Sequence, residues 1–149
     1  MSDYLAMLGE FGLTESAMRA FASLSDEPGE FPSRPKVYVR ASPIDGRGIF
    51  ALCGFVAGEL ITPVRVGGKM TPAGRYTNHA KDANAEYRMY SRGNLYMIAL
   101  RDIDACEEIT NDYRVNALVE YASATGVPLA QVTTETVRSV MQCAQRRIS

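Results

Sequence analysis

The sequence predicts an α+β, β-rich fold flanked by short N- and C-terminal helices. Three observations predict it. Residues 36–113 divide into many short β-prone runs closely spaced by glycine turns. Apolar residues recur at helical spacing in residues 3–24 and again beyond residue 115. The chain has 149 residues, one domain's worth, and contains no apolar run of about 18 residues, so neither a second domain nor a membrane partner is expected.

At the N-terminal end, Tyr4, Leu8 and Phe11 fall on one helical stripe, and Gly12 breaks it. Thr14 is a candidate N-cap for a second helix with Ala17, Phe21 and Leu24 on its apolar face. Residues 25–35 are rich in proline and acid and read as a linker, so residues 1–33 form a helical arm and linker. Residues 34–114 read as the main domain. Val37 and Val39 alternate with Tyr38 and Arg40, residues 42–48 turn, and Ile49-Phe50-Ala51 is a short strand. A turn at Ala57-Gly58 precedes Leu60-Ile61-Thr62. Strands over 85–90 and 95–100 flank the hairpin signal Ser91-Arg92-Gly93-Asn94. Residues 115–149 read as a helical extension. One helix covers 115–125 and stops at Gly126. A last helix, capped by Thr133 or Thr134, puts Val137, Val140, Met141 and Ala144 on one face and ends near Arg146 and Arg147. Packing or homo-oligomer formation through the terminal helices is the role expected of this face.

Charge and cysteine usage narrow the function classes. Residues 1–33 hold one basic residue, Arg19, against six acidic ones; residues 34–81 hold eight basic against Asp45 and Glu59. The acidic arm is expected to fold back on the basic middle, with attraction of a cationic protein tail as the functional alternative. A net charge of −1 does not suit a direct nucleic-acid partner. Cys53, Cys106 and Cys143 form no CxxC pair, and His79 is the only histidine, so no metal site is expected. Each cysteine reads as a small buried apolar side chain in a reducing, cytoplasmic compartment, and the N-terminus lacks the pattern of a signal peptide.

Four segments carry candidate chemistry. Gly46-Arg47-Gly48 precedes a strand, where two glycines allow a backbone to approach a ligand or simply make a turn. Arg75-Tyr76-Thr77-Asn78-His79, followed by Asn84, offers amide and imidazole groups to a polar ligand; His79 reads as a base or metal ligand, or as a core histidine satisfied by backbone. Ile98-Ala99-Leu100-Arg101-Asp102-Ile103 reads as a buried strand running into a turn. In Glu107-Glu108-Ile109-Thr110-Asn111-Asp112-Tyr113 the paired carboxylates read as a solvated face, and Tyr113 either enters a site or packs in the core.

Taken in order, these segments resemble the SET-domain family of protein lysine methyltransferases over about residues 36–114. Gly46-Arg47-Gly48-Ile49-Phe50-Ala51 resembles the family's opening block, and Ala57-Gly58-Glu59-Leu60-Ile61 its next turn. Arg75–His79 with Asn84 resembles the Arg-aromatic-x-Asn-His block. Residues 99–103 and 107–113 resemble the closing blocks. The resemblance implies a fold of several small sheets with a C-terminal pseudoknot, in which the Asn-His and Asp-Tyr segments pass through each other. It implies S-adenosylmethionine as cofactor, S-adenosylhomocysteine as product and no metal. Gly46, Arg47 and Gly48 would line the cofactor's methionine end. Asn78 and His79, in the block that Arg75 opens, would grip the cofactor. Tyr113 would border both cofactor and lysine channel as the catalytic residue. The implied reaction is attack of a neutral lysine nitrogen, on a protein with an accessible lysine, at the sulfonium methyl, helped chiefly by alignment of the two ligands.

The sequence also departs from the family pattern. Ala80 and Ala83 stand where Ser and Pro are usual, and Cys106 where Gly is usual. No Cys-rich tail follows Tyr113, so residues 114–149 would have to close the lysine channel. Residues 63–74 read as a short basic loop in place of a longer insert, leaving one groove wall to a partner subunit or to the N-terminal helices. Compact proteins of this kind resemble those of bacteria and viruses; cysteine usage and the missing signal pattern make the expected compartment cytoplasmic, or host cytosol or virion if the chain is viral. The alternative is a non-catalytic SET-like binding or assembly module, viral or phage in type. An esterase or metal hydrolase is disfavoured, because the chain has no Gly-x-Ser-x-Gly elbow and no second histidine.

Overall fold

A computed structural model describes residues 2–16 and 34–148. β1 (Val37–Ala41) and β2 (Arg47–Ala51) pair antiparallel around the 42–46 turn, with Val39 opposite Ile49. β3 (Leu60–Val66) and β4 (Lys69–Met70) form a second hairpin; β6 (Ala85–Ser91) and β7 (Asn94–Ala99) form a third. Between them lie the one-turn helix α2 (Pro72–Tyr76) and β5 (Asn78–His79). β8 (Glu108–Asn111) leads into α3 (Tyr113–Thr125). A 3-10 turn (Leu129–Gln131) and α4 (Thr134–Ile148) follow, while α1 (Ser2–Phe11) begins the chain. The protein is therefore an α+β, β-rich fold.

The strands run in the order β1-β2-β8-β6-β7-β3-β4, with β5 on β8. The small sheets expected from short strands are joined narrowly: β6 meets β8 through one register pair, Ala85 with Asn111. β5 lies parallel to β8, with Asn78 opposite Thr110 and His79 opposite Asn111. That pairing sets side by side the two segments that the pseudoknot expectation links.

The loop expected over residues 63–74 is instead ordered secondary structure. Gly67 (φ +58°) and Gly68 (φ +82°) supply the two left-handed residues of a tight hairpin turn, so β3 continues to Val66 and returns as β4. Pro63 is tolerated inside β3 because register shifts flank it, where a missing N–H breaks no regular ladder. Thr71 then caps α2 by accepting from Gly74 N, and Pro72 occupies its first turn.

Two apolar cores result. Ile49, Val64, Met97 and Ile109 are fully buried between the sheet and its coverings. A second core joins the two ends of the chain: Met7, Leu8 and Phe11 of α1 pack with Ala122 of α3, Val132 and Val137. Burying those three α1 side chains stabilises its docking by roughly 1.5–3 kcal/mol each. Polar contacts fix its end. Gly12 closes α1 at φ +66°, and a Cβ there would lie 2.1 Å from Gln142 Nε2. Gln142 Nε2 and Arg138 Nε donate to the carbonyls of Phe11 and Glu10, capping groups that have no partner within the helix.

Several sequence expectations need correction. All three cysteines are exposed, because each sits in a turn or on an outer helical face. Val140 is half exposed; α4 buries Val137 and turns Val140 outward. Strand β7 ends at Ala99, and Leu100 is exposed rather than part of a buried strand. Among the described residues the acidic arm does fold back: Asp3 and Glu10 engage Arg114 of α3, and Asp3 also meets His79. The proposed second N-terminal helix beyond residue 16, with Ala17, Phe21 and Leu24, and residues 25–33 of the linker lie outside the described residues. Gly126, at φ +80°, ends α3 as expected, and Thr133 caps α4 by accepting from Thr136 N.

Candidate functional site

Two asparagines hold the central strands together. Asn84 is buried; its Oδ1 accepts from Thr110 N, and its Nδ2 donates to Glu108 O and Glu107 Oε2. Burial disfavours ionisation of Glu107, yet hydrogen bonds from Asn84 and Arg101 outweigh it and lower the carboxyl's pKa. Asn78 performs the matching task for the Gly46–Gly48 turn. Its Nδ2 faces the carbonyls of Asp45 and Arg47, both 3.1 Å away, and Glu108 Oε2 at 2.9 Å. Carbonyl oxygens only accept, so this end of the amide is the NH2. Oδ1 is left without a hydrogen-bond partner among the described residues. Ser42 Oγ donates to Glu108 and completes the cluster. Gly48 is required by this packing, since a Cβ would stand 2.4 Å from Glu108 Oε2. Gly46 is required by its backbone, at φ +45°.

His79 joins β5 to α3. The Tyr113 backbone N–H donates to His79 Nδ1 at 3.0 Å, so Nδ1 carries no proton. The ring proton therefore sits on Nε2 and points at Asp3 Oδ2, 2.7 Å away. His79 is thus a buried histidine satisfied on both nitrogens, one of them by a carboxylate from α1. Asp112 caps α3 by accepting from Arg114 N. Arg114 in turn forks onto Asp3 and Glu10. Hydrogen bonds from Arg114, then from His79, hold the Asp3 carboxyl at about 2, and the Arg114 contact lowers Glu10 as well.

Tyr113 opens α3. Its hydroxyl donates to Thr77 O at 2.6 Å, and its ring lies 5.1 Å from the His79 ring centroid. Burial, reinforced by the neighbouring Tyr4 phenol, raises the Tyr113 pKa well above its usual value, so it stays a neutral phenol. Tyr4 stands edge-on to Tyr113 with centroids 6.3 Å apart and tilted to His79 at 6.0 Å.

These side chains surround one cleft of about 80 Å³, lined by Tyr4, Glu15, Ile44, Asp45, Asn78, His79 and Tyr113. The structure thus brings Asn78 and His79 of β5 together with Tyr113 of α3, two segments separated in the chain. Gly46, Arg47 and Gly48 do not line the cleft; they reach its edge through Asp45 and through Asn78. Arg75 sits in the single turn of α2 and lies outside the lining, near enough to Tyr113 to oppose its rise in pKa. Sequence reasoning missed Tyr4, Glu15, Ile44 and Asp45. The helical stripe marked Tyr4 as buried, but nothing local indicated what it would face.

A larger open groove of about 510 Å³ lies between the two hairpin tips and the end of α3. It holds none of the candidate residues. Its arginines are engaged, Arg65 with Glu120 and Gly68 O, Arg92 with Ala124 O, and its glycine amides are bonded too. The candidate residues instead meet at the smaller cleft. Among the described residues no group of three or more His, Cys, Asp or Glu is placed to hold a metal ion.

Comparison with known proteins adds the following. No curated protein sequence matches this chain. Among solved structures, a Plasmodium falciparum protein described as a candidate histone methyltransferase is 21% identical, with 52% of this chain and 96% of that chain covered and a TM-score of 0.47. A chain of a humanized mutant of the Chaetomium thermophilum Polycomb Repressive Complex 2 is 22% identical over 54% of this chain, with a TM-score of 0.44. The shared region is 15% of that chain's length, a small part of it. The family model for the SET domain matches residues 65–114, a stretch that contains Arg75, Asn78, His79, Asn84 and the whole closing block through Tyr113.

Proposed function

We propose that this protein is an S-adenosylmethionine-dependent methyltransferase acting on a lysine side chain of another protein. The observation that carries the reading is the convergence of Asn78, His79 and Tyr113 on one cleft, inside the segment matched by the SET-domain model. The chemistry of that cleft suits the cationic end of this cofactor. The Asn78 NH2, both His79 nitrogens and the Tyr113 hydroxyl proton are already bonded within the protein. What remains toward a ligand is acceptors and an aromatic face: Asn78 Oδ1, the Asp45 carboxylate, and the Tyr113 oxygen lone pairs and ring, with Tyr4 lining the same cleft. Such a lining favours a positively charged, donor-bearing group.

S-adenosylmethionine supplies, when bound, an electrophilic methyl on a sulfonium. The residues here do the positioning. Asn78 holds the Gly46–Gly48 turn at the cleft's edge, with Asp45 facing in. His79 anchors the first N–H of α3 and thereby fixes where the Tyr113 ring begins. Tyr113, its proton engaged by Thr77 O, presents an oxygen that accepts from an amine N–H. A phenol kept neutral by burial orients the amine without adding a charge that would stabilise its protonated, non-nucleophilic form. Alignment of this kind accounts for a large part of the barrier lowering in a two-ligand reaction.

A second reading is a non-catalytic module. It is favoured by one number: about 80 Å³ is well below the roughly 300–1,000 Å³ of usual small-molecule sites. Calorimetric titration of S-adenosylmethionine and S-adenosylhomocysteine, followed by transfer of a labelled methyl to lysine-bearing proteins, separates the readings. Micromolar binding with label recovered on lysine supports the enzyme. No binding at millimolar ligand would leave the binding module as the better account.

A further inference from the structure

We propose that the N-terminal helix is part of the ligand site, with Tyr4 as a wall of the cleft and Asp3 as the positioning residue of His79. The ligand role of Tyr4 rests on the proposed function above; the role of Asp3 stands on geometry alone. Tyr4 lines the cleft together with Asn78 and packs its ring against both His79 and Tyr113. A side chain in that place is a lid if its helix detaches and a wall if it does not. α1 has Met7, Leu8 and Phe11 buried in the second core, and its last carbonyls are capped by Arg138 and Gln142. Asp3 and Glu10 add the fork of Arg114. A helix docked at both ends and through its apolar face is a wall.

Asp3 acts one step further in. The Tyr113 N–H has to donate, so His79 Nδ1 has to accept, and the proton belongs on Nε2. Asp3 is the acceptor that meets this Nε2–H. With the other tautomer, Nδ1–H would oppose the Tyr113 N–H and Asp3 would lose its donor. Asp3 thus holds, from the other edge of the ring, the imidazole form that the Tyr113 N–H requires. The chemical class the finished cleft takes is cationic, a sulfonium or ammonium head beside the Tyr4 and Tyr113 rings and the Asp45 carboxylate.

Two measurements on the full chain test this. The first is titration of S-adenosylmethionine into wild type, Tyr4→Phe and Tyr4→Ala, each checked by thermal melting for an intact fold. The expected result is an affinity within about threefold of wild type for Tyr4→Phe and a loss of about tenfold for Tyr4→Ala, in line with a desolvated cation–ring contact. Wild-type affinity in a folded Tyr4→Ala overturns the wall and leaves the proposed function standing. No binding by wild type overturns the proposed function and the ligand role of Tyr4 together. The second measurement is the imidazole nitrogen NMR spectrum, which is unambiguous because His79 is the only histidine. Wild type is expected in the Nε2–H form with a slowly exchanging, downfield-shifted Nε2–H; Asp3→Ala loses that hydrogen-bonded signature while the tautomer stays, and Asp3→Glu retains it. An Nδ1–H wild type, or a spectrum unmoved by Asp3→Ala, overturns the role of Asp3.

Discussion

Asp3 precedes His79 by 76 residues in the chain, yet its Oδ2 lies 2.7 Å from the imidazole Nε2. The same carboxylate takes the Arg114 guanidinium at 2.9 Å. One acidic side chain therefore ties the first helix both to β5 and to the start of α3. The terminal helices and the sheet meet at this point, beside the cleft.

The tie predicts a pH dependence. Asp3 has its pKa lowered to about 2 in the fold from an ordinary value of 3.8, so its contribution to stability is complete above about pH 4 and is lost as pH falls toward 2. Urea unfolding of wild type and Asp3→Asn from neutral pH down to pH 2 checks this. The stability gap is expected to be constant near neutrality and to close through the acid range.

Cys106 predicts a stabilising substitution. It adopts φ +70°, a left-handed conformation that costs a non-glycine residue roughly 1–2 kcal/mol. Its N–H still donates to Ala51 O at 2.7 Å, so the turn itself is sound. Cys106→Gly relieves the strain but adds freedom to the unfolded chain, for a net gain of roughly 0.5–1 kcal/mol. Cys106→Val, β-branched, is expected to lose about 1 kcal/mol or more. Chemical denaturation of both variants decides it.

Tyr113→Phe removes the donor to Thr77 O and the oxygen proposed to orient the amine. Stability is expected to fall by about 1 kcal/mol. If the proposed function holds, cofactor affinity stays near wild type, while single-turnover methyl transfer slows about tenfold, the equivalent of about 1.4 kcal/mol. An unfolded Tyr113→Phe would instead mark the hydroxyl as a core requirement.

Asn78→Ala removes the NH2 that draws the carbonyls of Asp45 and Arg47 toward Glu108. The expected loss is roughly 1–3 kcal/mol, because the acceptors around that cluster are only partly hydrated. Amide hydrogen exchange is expected to rise in residues 42–48 and to stay unchanged in α4.

Phe11→Ala opens a cavity in the second core, where Phe11 is fully buried, and is expected to cost about 3–5 kcal/mol. Leu5→Ala, at a half-exposed position of the same helix, is expected to change stability by less than about 0.5 kcal/mol. Denaturation of both variants tests whether α1 is an integral part of the fold.

The sequence by itself determined what is local or carried by a contiguous block. Alternation of Val37 and Val39, the Arg92-Gly93 turn, the stop at Gly12 and the stop at Gly126 each depend on neighbours a few residues away, and each is found in the structure. The blocks around Asn78, His79 and Tyr113 marked residues that do meet at the cleft. Where a local signal admitted two outcomes, it misled. Pro63 and Gly67-Gly68 read as a loop because proline and glycine usually punctuate strands, yet a register shift and a tight turn accommodate them. Cys53, Cys106 and Cys143 read as core because cysteine composition favours burial, but exposure depends on what packs above each position. Only the tertiary structure decided the rest of the site. That Tyr4 walls the cleft, that Asp3 meets His79, and that Asp45 borders the site are contacts between elements distant in the chain. Periodicity shows that a helix has a face to bury; the packing of Met7, Leu8 and Phe11 against α3 and α4 decides which surface that face brings with it.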